Sequence, residues 1–276
     1  MIVPDVVFEM KIAVPKGTSE NAVDLLAVRT GLSKSRVKDA MNKGAVWKKK
    51  TAGSLSRLRK ATSPLSHGGY LEIYYDEKLL ALKPPAATLV NDQHHYSVWY
   101  KPAGLMSQGT MYGDHCSLLR QAELYFNPRR EVFLVHRLDR ETSGLILIAH
   151  SKIAAAKLSL LFQKNLIVKK YRAEVRGNMA GKIPRGVIDY ALDGKQAITE
   201  FEVISYDPAK DSSMVSLIIR TGRLHQVRRH MELAGFPVIG DPKYGKGNKN
   251  LEGMKLCAAS LSFQCPFQNK ELEFTL

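Results

Sequence analysis

The sequence predicts an α+β protein: a small α/β module followed by a domain built on a large mixed or antiparallel sheet. Three observations predict it. The first 80 residues hold two short, capped helical patterns and short strand runs. Beyond residue 90, eight segments have strand character and only two carry a helical stripe, a ratio that favours α+β over a doubly wound arrangement. Between the two regions lie consecutive prolines, which remove backbone donors and disfavour helix.

The first helical pattern is Glu20–Thr30, with Ala22, Val23, Leu25, Leu26 and Val28 apolar. Gly31 can end it, because glycine takes a positive φ without a Cβ clash. Ser33 is placed to cap a second helix, Lys34–Lys43, whose buried side contains Val37, Ala40 and Met41. Lys34, Arg36, Lys38 and Lys43 project from its other sides. A strand is expected at Ala45–Trp47, followed by the run Lys48-Lys49-Lys50, and another at Gly69–Tyr75. Residues 1–81 therefore read as a small domain with its core at about 18–76, residues 82–90 as a linker, and residues 91–276 as a second domain.

In the second domain the strand candidates are His95–Tyr100, Glu131–Val135, Leu145–Ala149, Lys170–Val175, Ile198–Ser205, Met214–Arg220, Leu256–Phe263 and Glu271–Phe274. The helix candidates are Ile153–Gln163 and Leu224–Leu233. The former places Ala154, Leu158, Leu161 and Phe162 on one stripe.

Composition narrows the function classes. A hydrophobic fraction of 45% suits a globular chain. No segment approaches the roughly 18 apolar residues of a membrane span. The opening 20 residues lack the charged start, apolar core and cleavage site of an export signal, so a cytoplasmic location is expected. Three irregularly spaced cysteines, Cys116, Cys257 and Cys265, suggest reduced thiols rather than a disulfide framework. The histidines form no HExxH arrangement and there is no GxxxxGK[ST], so neither a metal nor a nucleotide cofactor is expected.

The formal charge of +15 draws polyanions and makes nucleic acid the leading partner class. The charge is concentrated. Between Arg29 and Lys60 there are eleven basic residues and one acid, Asp39. Lys34, Arg36, Lys38, Lys48, Lys49 and Lys50 are the RNA-contact candidates in this stretch. The long basic segment 48–67 reads either as an enlarged RNA-contacting loop or as a disordered one.

Four segments of the second domain could carry chemistry. FLVHRLDRETSGLILIAH (133–150) places a charged tract between two apolar runs, the way a fold presents catalytic groups at a sheet edge. Arg137 and Arg140 flank Asp139, and an arginine beside it would favour the carboxylate, suiting a nucleophile or base. A salt-bridged structural turn is the competing reading. RTGRLHQVRRHMELAGFPVIGD (220–241) distributes Arg223, His225, Arg228, Arg229 and His230 around one short helix, with Asp241-Pro242 starting a turn. KKYRAEV (169–175) puts Tyr171, Ala173 and Val175 on one strand face, where Tyr171 is either a core aromatic or a stacking surface for a base. KPAG (101–104) reads as a turn with Lys101 at its entrance.

Two resemblances gather these segments. LAVRTGLSKSRVKDAMNKGAVW with HGGYLEIYY resembles the small RNA-binding domain first known from a ribosomal protein of the small subunit. HRLDRETSGLILIA, KKYRAEV, TGRLHQVRRHMELAGFPVIGDPKYG and KPAG resemble the shared motifs of the RluA family of pseudouridine synthases, over about residues 95–276. The resemblance implies a pseudouridine synthase fold and isomerisation of uridines in structured RNA, rRNA or tRNA, without cofactor or metal. It implies Asp139 as the essential aspartate, Tyr171 stacking on the target base, and Arg228 pairing with Asp139. Arg137 would help hold the flipped nucleotide or the displaced RNA, and Arg223, His225 and Lys101 would contact RNA or substrate. A non-catalytic RNA-binding or ribosome-assembly factor is the alternative. Leu224, Cys257 and the SQGT segment (107–110) depart from commoner relatives.

Overall fold

The computed structural model describes residues 6–15, 20–50, 53–65, 68–248 and 250–276. The described residues thus leave out parts of the opening segment, of the basic stretch 48–67 and of the 240–250 tail. The chain divides into two compact units. One comprises residues 1–84 with 108–120, the other residues 85–107 with 121–276.

The first unit opens with β1 (Val7–Ala13), which places Phe8, Met10 and Ile12 inward. Helix α1 (Ala22–Thr30) starts at Asn21, whose Oδ1 accepts the Asp24 N–H at 3.1 Å, and ends at Gly31, φ +71°. Helix α2 (Lys34–Asn42) is capped by Ser33 Oγ, which accepts the Arg36 N–H at 3.3 Å. Then come β2 (Val46–Lys49), β3 (Ser56–Arg57), β4 (Tyr70–Asp76) and the short helix α3 (Glu77–Ala81). The sheet order is β1-β4-β2-β3, every pair antiparallel. Val23, Leu26, Val37 and Met41 from the helices pack on Ile12, Val46, Leu71 and Ile73 from the strands.

The second unit begins with β5 (Thr88–Asp92) and β6 (Tyr96–Lys101). Residues 88–90, assigned to the linker by sequence, therefore lie in the sheet, because β5 pairs antiparallel with β6. Helix α4 (Leu118–Tyr125) crosses from residues of the first unit to residues of the second. The remaining elements are β7 (Phe133–Leu134), β8 (Ser143–Ala149), α5 (Lys152–Gln163), β9 (Val168–Arg176), β10 (Arg185–Asp189), β11 (Ile198–Asp207), β12 (Ser212–Ile219), α6 (Gln226–Leu233), β13 (Leu256–Gln264) and β14 (Glu271–Thr275).

They form one ten-stranded mixed sheet, α+β as expected. Its main order is β10-β11-β12-β9-β13-β8-β6-β5, with β14 on β13 and β7 on β8. Every pair is antiparallel except β13–β8. At that parallel contact Gly144, φ +122°, lies against Ala258. A Cβ there would come within 2.4 Å of the Ala258 backbone, so the two strands meet only because residue 144 is glycine. Strand β13 borders two cores. Leu256 packs with Ala173, Val175, Leu217 and Met231, whereas Leu261 and Phe263 pack with Tyr96, Leu145 and Leu158.

Candidate active site in the second unit

The charged tract found in the sequence is the loop between β7 and β8. Its backbone is held from several directions. The Thr142 N–H donates to the Asp139 carbonyl at 3.2 Å, and the Gly104 N–H to the Arg140 carbonyl at 2.7 Å. His136 stacks on Phe162 with ring centroids 4.2 Å apart, and its Nε2 accepts the Leu147 N–H at 3.0 Å. Loss of solvent around that ring, reinforced by the charge of Lys169, pushes its pKa down to about 3. The ring is therefore a neutral acceptor that ties the start of the loop to β8.

Asp139 is half-buried. Its Oδ2 accepts from Arg228 Nη1 at 3.2 Å, and His225 Nε2 lies 3.8 Å away. Arg228 is the unusual member, a guanidinium only 2% exposed. Its Nε and Nη2 donate to the two oxygens of Asp241 at 2.7 and 2.8 Å, a bidentate pair whose carboxylate is itself buried. Burial by itself would lower the guanidinium pKa. The Asp241 bonds outweigh it, so Arg228 is held above its ordinary value. Burial likewise acts to raise the Asp241 pKa, but Arg228 and the Lys243 and Tyr244 N–H groups bring it below the usual range. With Nε and Nη2 occupied by Asp241, Nη1 is the nitrogen that reaches Asp139, with Glu141 farther off at 3.9 Å.

Tyr171 projects from β9 into the same neighbourhood. Burial, then the negative charge of Asp139, raises its phenol pKa. His225 is bonded through Nδ1 to the Tyr244 hydroxyl at 3.0 Å. Its pKa is lowered by burial despite the nearby Asp139 charge. Asp139, Tyr171, Arg228 and His225, read separately from three sequence segments, thus converge, and Asp241 joins them. A cluster with one accessible carboxylate, a fixed cation and an aromatic ring can stabilise positive charge developing on a sugar while a planar base lies against the ring.

The family model for RNA pseudouridylate synthase matches residues 95–233, half of the chain and most of this cluster. The chain belongs to the RNA pseudouridylate synthase family. Its relatives include the uncharacterized RNA pseudouridine synthase YlyB of Bacillus subtilis (strain 168), 31% identical over 74% of this chain and 68% of the relative. Another is the ribosomal large subunit pseudouridine synthase C of Rickettsia felis, 37% identical over 60% of this chain and 58% of the relative. Among solved structures, human RNA pseudouridylate synthase domain containing 1 superposes with a TM-score of 0.60 at 24% identity, over 71% of this chain and 86% of that one, a likeness of fold.

Within this pseudouridine synthase fold, several sequence expectations need correction. Lys101, read as an RNA or substrate contact, is fully buried. Its ammonium donates to the carbonyls of Leu105 at 2.7 Å, Pro102 at 3.1 Å and Arg140 at 3.3 Å, so it supports the Asp139 loop from inside. Helix α6 begins at Gln226 rather than Leu224, because His225 sits at φ +53° and Leu224 points outward, 64% exposed. Its positive charge is also largely cancelled. Arg229 pairs bidentately with Asp193, and His230 is buried with its pKa lowered chiefly by that burial. Arg223 is half-buried, with Nε donating to the Gln196 carbonyl at 2.9 Å. Arg137 is exposed and has no hydrogen-bond or ion-pair partner among the described residues.

In the first unit Lys34 pairs with Asp24 and Arg36 with Glu77, both at the surface. Lys38 and Lys50 are exposed, and Lys48 and Lys49 are half-buried, Lys49 lying 5.8 Å from the Tyr70 ring centre. Two arginines of the basic stretch point inward instead: Arg57 and Arg59 both pair with Asp114. Asp241 was legible only as a turn residue. The signal was the apolar run Phe236–Ile239 leading straight into it, which delivers a carboxylate to the interior. Among the described residues no group of three or more His, Cys, Asp or Glu side chains is placed to hold a metal ion, and no helix is long and apolar enough to cross a membrane.

Proposed function

We propose that this chain isomerises uridines of structured ribosomal or transfer RNA in the cytoplasm to pseudouridine, with Asp139 as the essential catalytic carboxylate. The observation that carries the reading is the placement of Asp139 on a buried, Asp241-anchored arginine with Tyr171 alongside. The reaction detaches uracil from C1′ of the ribose and rejoins it through carbon 5, with no net redox change and no hydrolysis. Asp139 would stabilise or trap the electron-poor sugar, or help form its unsaturated relative. Arg228 would hold the carboxylate in place, and Tyr171 would stack on the uracil as it turns. The target base must leave its stack at a cost of roughly a few kcal/mol. Arg137, exposed beside Asp139, would fill the space it leaves or grip its phosphate.

The first unit would hold the RNA through Lys34, Arg36, Lys38 and Lys48–Lys50, a role that fits its concentration of positive charge. Large-subunit rRNA is the first substrate to test, since the Rickettsia felis relative is named for it. The experiment is nucleoside-resolved pseudouridine mapping of RNA from cells lacking the protein, then rescue with wild type, Asp139→Asn or Asp139→Ala. Loss of specific pseudouridines, restored by wild type and by neither variant, is expected. Full rescue by Asp139→Asn would refute the mechanism. RNA binding by the wild-type protein with every uridine unchanged would favour an assembly factor.

A further inference from the structure

We infer that Ser107 is a positioning residue for Asp139, acting through the backbone of Leu138; the inference rests on Asp139 being the catalytic carboxylate. Ser107 lies outside the charged tract, in the departing SQGT segment, and is 4% exposed. Its hydroxyl donates to the Leu138 carbonyl at 2.7 Å and accepts the Leu138 N–H at 3.1 Å. One side chain, 31 positions away in sequence, therefore satisfies both backbone polar groups of the residue immediately before Asp139.

Only a hydroxyl does this well. It offers one donor and two acceptor lone pairs on a short stem, so it can serve an N–H and a C=O together. Leu138 is itself buried, 7% exposed, so water cannot readily replace a missing hydroxyl. On the other side of Asp139, the Arg140 carbonyl takes the Gly104 N–H at 2.7 Å and the Lys101 ammonium at 3.3 Å. Both neighbours of Asp139 are thus fastened to residues 101–107. What remains free to act is the Asp139 side chain, aimed at Arg228 Nη1.

A carboxylate that must meet C1′ of a flipped nucleotide is sensitive to small displacements, and an error near 1 Å can cost about 100-fold in rate. Ser107 is buried and its hydroxyl is spent on the Leu138 backbone, so its loss should act on turnover rather than on binding.

The test uses the full chain with a target RNA at saturating and limiting concentrations, comparing wild type, Ser107→Ala, Ser107→Cys and Asp139→Asn. Ser107→Ala should lower kcat at least tenfold while KM and the RNA Kd stay within about twofold. Ser107→Cys, with a weak donor of similar size, should fall between alanine and wild type. Should Ser107→Ala fail to fold, judged by near-ultraviolet circular dichroism, the cysteine variant carries the comparison. Wild-type kcat in Ser107→Ala, or a fall in melting temperature with kcat unchanged, overturns the inference while an inactive Asp139→Asn leaves the catalytic reading standing. An active Asp139→Asn overturns both.

Discussion

Replacing Asp241 by alanine leaves Arg228, 2% exposed, with two donors that no longer meet a buried carboxylate. The two side chains are joined by bonds of 2.7 and 2.8 Å, and neither has useful access to water. Breaking such a buried pair from one side costs about 3–5 kcal/mol, most of it the desolvation of the charge left behind. With a urea m-value of roughly 3 kcal/mol/M, the midpoint should fall by about 1 M or more. Turnover should fall too, since Nη1 holds Asp139 only while the rest of the guanidinium is fixed. The informative comparison is the double variant Arg228→Met/Asp241→Leu, which removes both charges. It should recover most of the stability, as apolar replacements of buried pairs generally do, and none of the activity. Urea titration followed by circular dichroism, with pseudouridine formation on the same samples, measures both. An Asp241→Ala protein with wild-type midpoint and rate would refute the anchoring role. A double variant as unstable as the single would refute the desolvation argument.

Three further outcomes are expected. Burial pushes the Lys101 ammonium down to about 8 from its ordinary 10.5, against the opposing pull of Glu141 and Asp139. Between those values the unfolded chain binds more protons than the folded one, so stability should rise with pH across that window, by about 3 kcal/mol from this group. In Lys101→Met that increment should vanish from the pH dependence of the unfolding free energy; an unchanged slope would show that the ammonium is not desolvated. In the first unit, Lys38→Ala or Lys50→Ala should weaken RNA binding and reduce the salt slope by about 1 each, with the melting temperature held. Arg59→Ala should instead lower the melting temperature through loss of its Asp114 pair, and a reversed pattern would assign the surface differently.

Local rules made the first two helices readable. Ser33 and Gly31 sit where caps require them, whereas Asn21, read inside the first helix, caps it, and Val28 faces outward while the other apolar positions are buried. Strands β8, β9, β11, β12 and β13 were legible because apolar runs or alternation mark strands packed on one or both faces. Strand β1 alternates Phe8, Met10 and Ile12 within only seven residues, and Val7 and Ala13, apolar at its two ends, blur the period. The exposed edge strands β5 and β10 carry little apolar signal. Linear spacing also could not show that Asp139 and Arg228, 89 residues apart, would touch. Buried ionic partners such as Asp241 and buried donors such as Lys101 resemble surface residues in sequence, since polarity predicts exposure until a partner is known.

Strand β13 lies between β9 and β8 and, among the described residues, is the only link between the two halves of the ten-stranded sheet along its main order. Strands β5 to β12 all precede it in the chain, and without it the inner edges of the two halves, on β9 and β8, would have no sheet neighbour. The Asp139 loop precedes β8 in one half, and Tyr171 lies on β9 in the other. Residues 256–264 follow both in the chain, so the geometry that brings Asp139 and Tyr171 together depends on a strand translated after either of them.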